Sequence, residues 1–204
     1  MSARVAEFVV RSAIEPWQRI GLHVVDGVAY AGSVRLRFEP PATDADAGLA
    51  SWGLVGSATP ATDIDGLVTS HLQPFELPAT ANALDIVGFD HVVVNTSSLD
   101  RTCGAIEAAT GAPLKRIRDA GPGIRQGFHR LGEVIVEVVE SPRVQAPTAS
   151  FWGFVWNVAD LHEMCERLGP DVVSLPKAAV QPGRFIATVR ASVGLGLPLA
   201  LMTP

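Results

Sequence analysis

Between Ile86 and Pro142 the spacing of apolar and polar residues changes twice, and each change marks a new element. GFDHVVVNT (Gly88–Thr96) is an apolar run of strand length that carries one histidine, His91. In SSLDRTCGAIEAATG the apolar residues Leu99, Cys103 and Ile106 recur at i, i+4 and i+7, which predicts a helix. Ser97 with Asp100 three residues on has capping-box form. Gly111 stops the helix and Pro113 prevents its return. PLKRIRD, IRQGFHRLG and EVIVEVVE then read as three short strands, so the unit is β-α-β-β-β, with His91 on its first strand and Glu137 on its last.

The unit repeats. A shift of 62 residues brings Phe89 onto Phe151, Val93 onto Val155, Asn95 onto Asn157, Leu99 onto Leu161, Cys103 onto Cys165 and Pro142 onto Pro204. The second helix ends sooner, at Leu168-Gly169-Pro170. Residues 150–204 are thus read as a second module beside 86–142, in a domain spanning 85–204.

GFDHVVVNTSSLD and VIVEVVESP resemble the ligand-bearing strands of the vicinal oxygen chelate superfamily, which includes glyoxalase I, bleomycin-resistance proteins, extradiol dioxygenases and methylmalonyl-CoA epimerase. The resemblance implies an α+β fold in which paired β-α-β-β-β modules form a cup-shaped mixed sheet with helices on its convex face. It maps the family's metal-ligand positions onto His91 and Glu137. It leaves the reaction open, because one fold carries many chemistries.

Residues 1–84 read as a degenerate, glyoxalase-like N-terminal region. RVAEFVV is a strand, IEPWQRIG a short helix with Pro16 in its first turn, and Asp26-Gly27 a two-residue hairpin turn. SVRLRF alternates Val34, Leu36 and Phe38 with Arg35 and Arg37, one face buried and one wet. ASWGLVG echoes ASFWGFV of the second module, Asp63–Leu72 reads as helical, and QPFELPATANA (Gln73–Ala83) as a linker.

Composition narrows the function classes. The chain has 204 residues, 48% of them hydrophobic and 18% charged, so a sizeable core is expected. A net charge of −5 with scattered arginines argues against nucleic acid as a partner. No apolar run suits a membrane span or a signal peptide, so a cytoplasmic protein is expected. Cys103 and Cys165 fall on the helices of different modules and are expected to be buried and reduced.

Strand alternation places Phe89, His91, Val93 and Asn95 on one face. If Gly132-Glu133 is the turn between the third and fourth strands, Phe128 lies opposite Glu137, Arg130 opposite Ile135 and Gln126 opposite Val139. His129 then points toward the helix. In the second module Phe151, Gly153, Val155 and Asn157 face the cup, while Trp152, Phe154 and Trp156 face the helix. Glu140 is expected to be solvated.

An imidazole and a carboxylate suit zinc, iron, manganese or nickel, but such sites use three or four ligands. The repeat puts Gly153 where His91 stands and Leu199 where Glu137 stands, so a single chain offers half a site. The reading is therefore a cup that binds a small organic molecule, with Glu137 and His91 as its acid–base groups. Asn95, Gln126, Phe128, Arg130, Phe151 and Asn157 are its ligand-binding residues, and no cofactor is expected in one chain. The alternative is a metal-dependent lyase, isomerase or dioxygenase whose divalent ion is completed across a homodimer. A scaffold without ligand is the third possibility.

Overall fold

The computed structural model describes residues 3–57, 60–76 and 84–204. The first part of the chain forms β1 (Arg4–Arg11), α1 (Glu15–Arg19), β2 (Val28–Ala31), β3 (Val34–Glu39), β4 (Gly48–Val55), β5 (Asp63–Ile64) and β6 (Leu67–His71). These strands make one sheet in the order β2-β3-β1-β4-β6-β5. The β1–β4 pair at its centre is antiparallel, and β3 and β6 flank it in parallel.

The rest of the chain forms β7 (Ile86–Thr96), α2 (Leu99–Thr110), β8 (Arg116–Asp119), β9 (Arg125–Leu131) and β10 (Val134–Glu140), and then repeats the plan. The repeat consists of β11 (Ser150–Val158), α3 (Leu161–Leu168), β12 (Lys177–Ala178), β13 (Phe185–Thr188) and β14 (Leu199–Met202). The second sheet has the order β12-β13-β14-β11-β7-β10-β9-β8. Again two antiparallel strands, β7 and β11, stand at the centre, with β10 and β14 parallel beside them. This is the expected mixed α+β arrangement of paired β-α-β-β-β modules.

The sheets pack on each other through an aromatic layer. Phe8 of β1 lies 5.2 Å from Phe89 and 5.1 Å from Phe154, ring centroid to centroid. Trp17 meets Trp156 at 5.9 Å, and Trp52 meets Phe151 at 5.3 Å. One continuous core runs from Val5 and Phe8 through Phe89 and Phe154 to Leu201. The convex face of the second sheet is therefore covered in two ways. Its middle strands carry the N-terminal sheet, whereas the helices cover only the flanks. There α2 buries Leu99, Cys103 and Ile106, and α3 buries Leu161, Met164 and Cys165.

Both cysteines are buried and free. Burial pushes the Cys103 thiol up to about 11 and raises that of Cys165 as well. Two local expectations change. Asp63–Leu72 is extended, because Asp65-Gly66 forms a turn and Leu67 and Thr69 alternate with exposed Val68 and Ser70. The start of α2 has no capping box. Its Leu99 N–H donates to Oε2 of Glu140 at 2.6 Å, so Glu140 caps the helix rather than standing in solvent. Of the linker Gln73–Ala83, residues 77–83 lie outside the described residues.

Candidate functional site

The open face of the second sheet carries a cavity of about 810 Å³, within the range of small-molecule sites. Two features of the backbone decide which side chains reach it. The first is the turn at Gly132-Glu133, where Gly132 adopts φ 71°. It sets Phe128 opposite Glu137, Arg130 opposite Ile135 and Gln126 opposite Val139, as alternation from that turn requires. His129 falls opposite Val136 and donates from Nδ1 to the Ala112 carbonyl at 2.9 Å, on the helix side.

The second feature is a β-bulge at Asp90. His91 pairs with Val155 while Phe89 pairs with Trp156, so one residue of β7 is extra. The bulge reverses the parity of the strand. Phe89, expected on the face of His91, lies instead in the core, and Asp90 comes round beside His91. A second bulge at Trp152 has the same effect on β11, where Phe151 turns into the core against Phe8 and Trp52. Trp152, expected under the helix, is half exposed.

The site is a chain of polar contacts crossing the sheet from strand to strand. Arg118 of β8 donates from Nε and Nη2 to Oε1 of Gln126 on β9. Gln126 Nε2 donates to Oε1 of Glu137 on β10 at 2.6 Å. The other carboxylate oxygen of Glu137 lies 3.3 Å from Nε2 of His91 on β7. His91 Nδ1 donates to Oδ1 of Asp90 at 2.7 Å, and Oδ2 of Asp90 accepts from Nη2 of Arg184 at 2.9 Å. Arg184, just before β13, also donates to Oδ1 of Asn157 and to the Thr203 carbonyl. A guanidinium thus closes each end of the row, and His91 stands between two carboxylates in the middle.

Burial acts to raise the Asp90 carboxyl, but the hydrogen bonds from His91 and Arg184 outweigh it and hold the group at about 2. Asp90 is therefore an acceptor only, and the Nδ1 proton of His91 is committed to it. Nε2 of His91 and Oε2 of Glu137 then face each other 3.3 Å apart, the two atoms of the row left free to meet a proton. That pairing can give up or take a proton at the floor of the cup without disturbing Asp90.

Of the sequence-derived residues, His91, Glu137, Gln126, Phe128 and Arg130 line the cavity together. Asn95 shares the strand face of His91 but stands two pairs away, opposite Ser150 and Val139, outside the cavity lining. Asn157 holds Arg184 rather than the cavity. Phe151 belongs to the core. Asp90, Arg118 and Arg184 were missed. Arg118 was legible, because PLKRIRD alternates and the register sets Arg118 beside Gln126. Asp90 was hidden by the bulge, and Arg184 sits in an irregular segment with no periodic signal.

The second module supplies no matching donors. Gly153 stands at the counterpart of His91, and a Cβ there would collide with the Pro198 carbonyl oxygen, so no side chain fits. Val155 pairs with Ala200 as Val93 pairs with Glu137, so Ala200 rather than Leu199 takes the counterpart of Glu137. Leu199 points into the core. Among the described residues no group of three or more histidine, cysteine, aspartate or glutamate side chains is arranged to hold a metal ion. His91 and Glu137 are two donors, too few for a metal shell made by one chain.

The second module adds apolar lining to the cavity through Ala179, Val180, Ile186 and Met202. Val155 and Ala200 are buried with Met202 behind that wall. No helix among the described residues is long and apolar enough to cross a membrane.

The sequence matches no protein-family profile and no curated protein. Solved structures match the fold. A triple mutant of 4-hydroxymandelate synthase from Streptomyces coelicolor aligns over 100% of this chain and 93% of its own, with a TM-score of 0.67 and 14% identity. Methylmalonyl-CoA epimerase from Mycobacterium tuberculosis aligns over 62% of this chain and 93% of its own, with a TM-score of 0.50 and 16% identity. The chain shares the fold of these two proteins, which are members of the vicinal oxygen chelate superfamily.

Proposed function

We propose that the cup of the second sheet binds a small organic molecule and that His91 and Glu137 exchange a proton with it. The observation that supports this most is the row of contacts through His91. Its Nδ1 is fixed on an ionised Asp90, and its Nε2 lies 3.3 Å from Oε2 of Glu137 beside a cavity of small-molecule size. Gln126 orients the carboxylate and Arg184 orients Asp90, so the reactive pair is held by partners on both sides. In this reading Phe128, Ile186 and Met202 hold the apolar body of the ligand, and the proton passes at His91 Nε2 or Glu137 Oε2. No step is assigned to a metal, because one chain brings two donors only.

Ligand-observed NMR against small organic acids and neutral compounds tests the proposal on the wild type, Glu137→Gln and His91→Gln. Binding that weakens at least tenfold in both variants is expected. Absence of binding, or equal binding by all three proteins, would contradict it. The alternative, a divalent ion held by His91 and Glu137 with further ligands from a second copy, separates by metal analysis. Protein purified without a histidine tag is expected to carry substoichiometric metal, and His91→Ala to leave zinc affinity unchanged. Tight, stoichiometric metal that disappears in His91→Ala would replace the acid–base reading with a composite metal site in a homodimer.

A further inference from the structure

The charge around the cup carries an inference that rests on the binding role proposed above and names the class of ligand. The chain has only two lysines, Lys115 and Lys177, and both line this cavity. They come from opposite sides: Lys177 begins β12, at one edge of the eight-stranded sheet, and Lys115 precedes β8, at the other. Arg116, Arg118 and Arg130 line the same cavity.

None of these five cations forms an ion pair with a carboxylate among the described residues. Arg35, Arg37, Arg101, Arg125 and Arg184, elsewhere in the chain, all do. The groups the cavity cations do touch are neutral. Arg118 donates to the Gln126 amide and Arg130 to the Glu133 carbonyl, and Arg116 lies 4.8 Å from the centre of the Phe128 ring. The two carboxylates in the wall, Asp90 and Glu137, are already engaged by Arg184, His91 and Gln126. A chain of net charge −5 therefore lines this cavity with five cationic side chains against two carboxylates, an excess of positive charge. A concave site with apolar walls concentrates that field on whatever enters.

We infer that the ligand is an amphipathic organic anion. Its apolar body lies on Val180, Ile186 and Met202, and its carboxylate or phosphate group lies against Arg116 and Arg118. Lys177 faces it from the opposite edge. The cations are chemically apt, since a guanidinium donates in parallel to two oxygens of either anion. The cation–π contact at Phe128 keeps Arg116 in place without consuming its charge.

The test uses a matched pair of dyes. 1-Anilinonaphthalene-8-sulfonate is an apolar anion, and N-phenyl-1-naphthylamine is its uncharged relative. Both are titrated by fluorescence into the wild type, the Arg116→Gln/Arg118→Gln double variant, Lys177→Gln and Ala179→Trp, which narrows the cup. The anion is expected to saturate one site, to bind about tenfold more weakly in the double variant, and to weaken with salt in the wild type. Binding of the neutral dye is expected to be unaffected by the charge substitutions and lost in Ala179→Trp along with that of the anion.

Equal affinity for the anion in the wild type and the charge variants, with no salt dependence, would overturn the anion inference and leave the cup as a neutral site. Dye binding indifferent to Ala179→Trp would overturn the cup itself as the site. The salt dependence is read on the unaltered protein, so it stands even if a variant unfolds. Displacement of the anionic dye by pyrophosphate at lower concentration than by succinate assigns a phosphate ligand, and the reverse order a carboxylate. Displacement by neither would also overturn the inference.

Discussion

The two sheets share a frame and use it oppositely. In the second sheet Val93 stands opposite Gly153 on one side and Glu137 on the other. In the N-terminal sheet Glu7 stands opposite Gly53 and Arg35. The place of Glu137 is thus held by an arginine, and the carboxylate has moved to the central strand. There it is almost fully buried, 2.5 Å from Nε of Arg35 and 3.5 Å from Nε of Arg37. The guanidinium of Arg35 in turn lies 4.3 Å from the centre of the Phe75 ring, and Leu72 packs over Gly53. The segment after β6 therefore covers the N-terminal face, and its charges cancel inside the protein. On the second sheet nothing equivalent among the described residues crosses the cup, and the charges are arranged around a cavity. The difference teaches that strand topology alone does not make a site. What makes one here is a carboxylate left within reach of a proton partner, on a face that none of the described segments covers.

The largest expected effect tests whether the two sheets are one folding unit. Phe8 is fully buried between them, and Phe8→Ala should cost about 3–5 kcal/mol in urea unfolding while keeping a single transition. Two resolved transitions, or a loss below about 1 kcal/mol, would mean that the sheets are energetically separate.

Next comes the contrast between the two glutamates. Glu7→Ala strips the half-buried Arg35 of its carboxylate and should destabilise the fold by about 2 kcal/mol, below the usual range for a fully buried pair because solvent screens part of it. Glu137→Gln keeps an acceptor for Gln126 and should cost less than about 1 kcal/mol. Chemical denaturation of both variants checks the order, and a Glu137 loss exceeding that of Glu7 would reverse the assignment of structural and functional roles.

How much of this could be read from the residues follows from where the chain is regular. The second sheet was legible because its repeat holds at Phe89/Phe151, Asn95/Asn157 and Cys103/Cys165, and because Gly132-Glu133 fixes the register of Gln126 and Phe128 against Glu137. The faces of β7 and β11 were partly misread for one physical reason. A bulge adds a single residue that periodicity cannot detect, and it sends Phe89 and Phe151 inward while bringing Asp90 to His91. Glu140 reads as solvated because its capping of α2 joins residues 41 apart in sequence. The covering of the N-terminal face depends on Leu72, at the end of a stretch that reads as helical, and on Phe75, in a segment that reads only as a linker.

The pH dependence of stability is a smaller effect and isolates the Asp90 end of the row. The folded carboxyl, at about 2, lies below its ordinary 3.8, so the unfolded chain binds more protons across this window and stability rises with pH. The contribution, about 2 kcal/mol, is complete a little above pH 4 and is lost as pH falls through about 2. Urea midpoints of Asp90→Asn should lack this part of the acid slope. An unchanged slope would remove Asp90 from the account.

The central claim is that the open face of the second sheet is the ligand site while the matching face of the N-terminal sheet is closed. Amide chemical-shift mapping with saturating 1-anilinonaphthalene-8-sulfonate tests it directly. The account predicts shifts confined to the cup, at His91, Gln126, Phe128, Glu137, Ile186 and Met202, with Glu7, Arg35 and Gly53 unmoved. Shifts gathered on the N-terminal face, or scattered over both sheets, would contradict it.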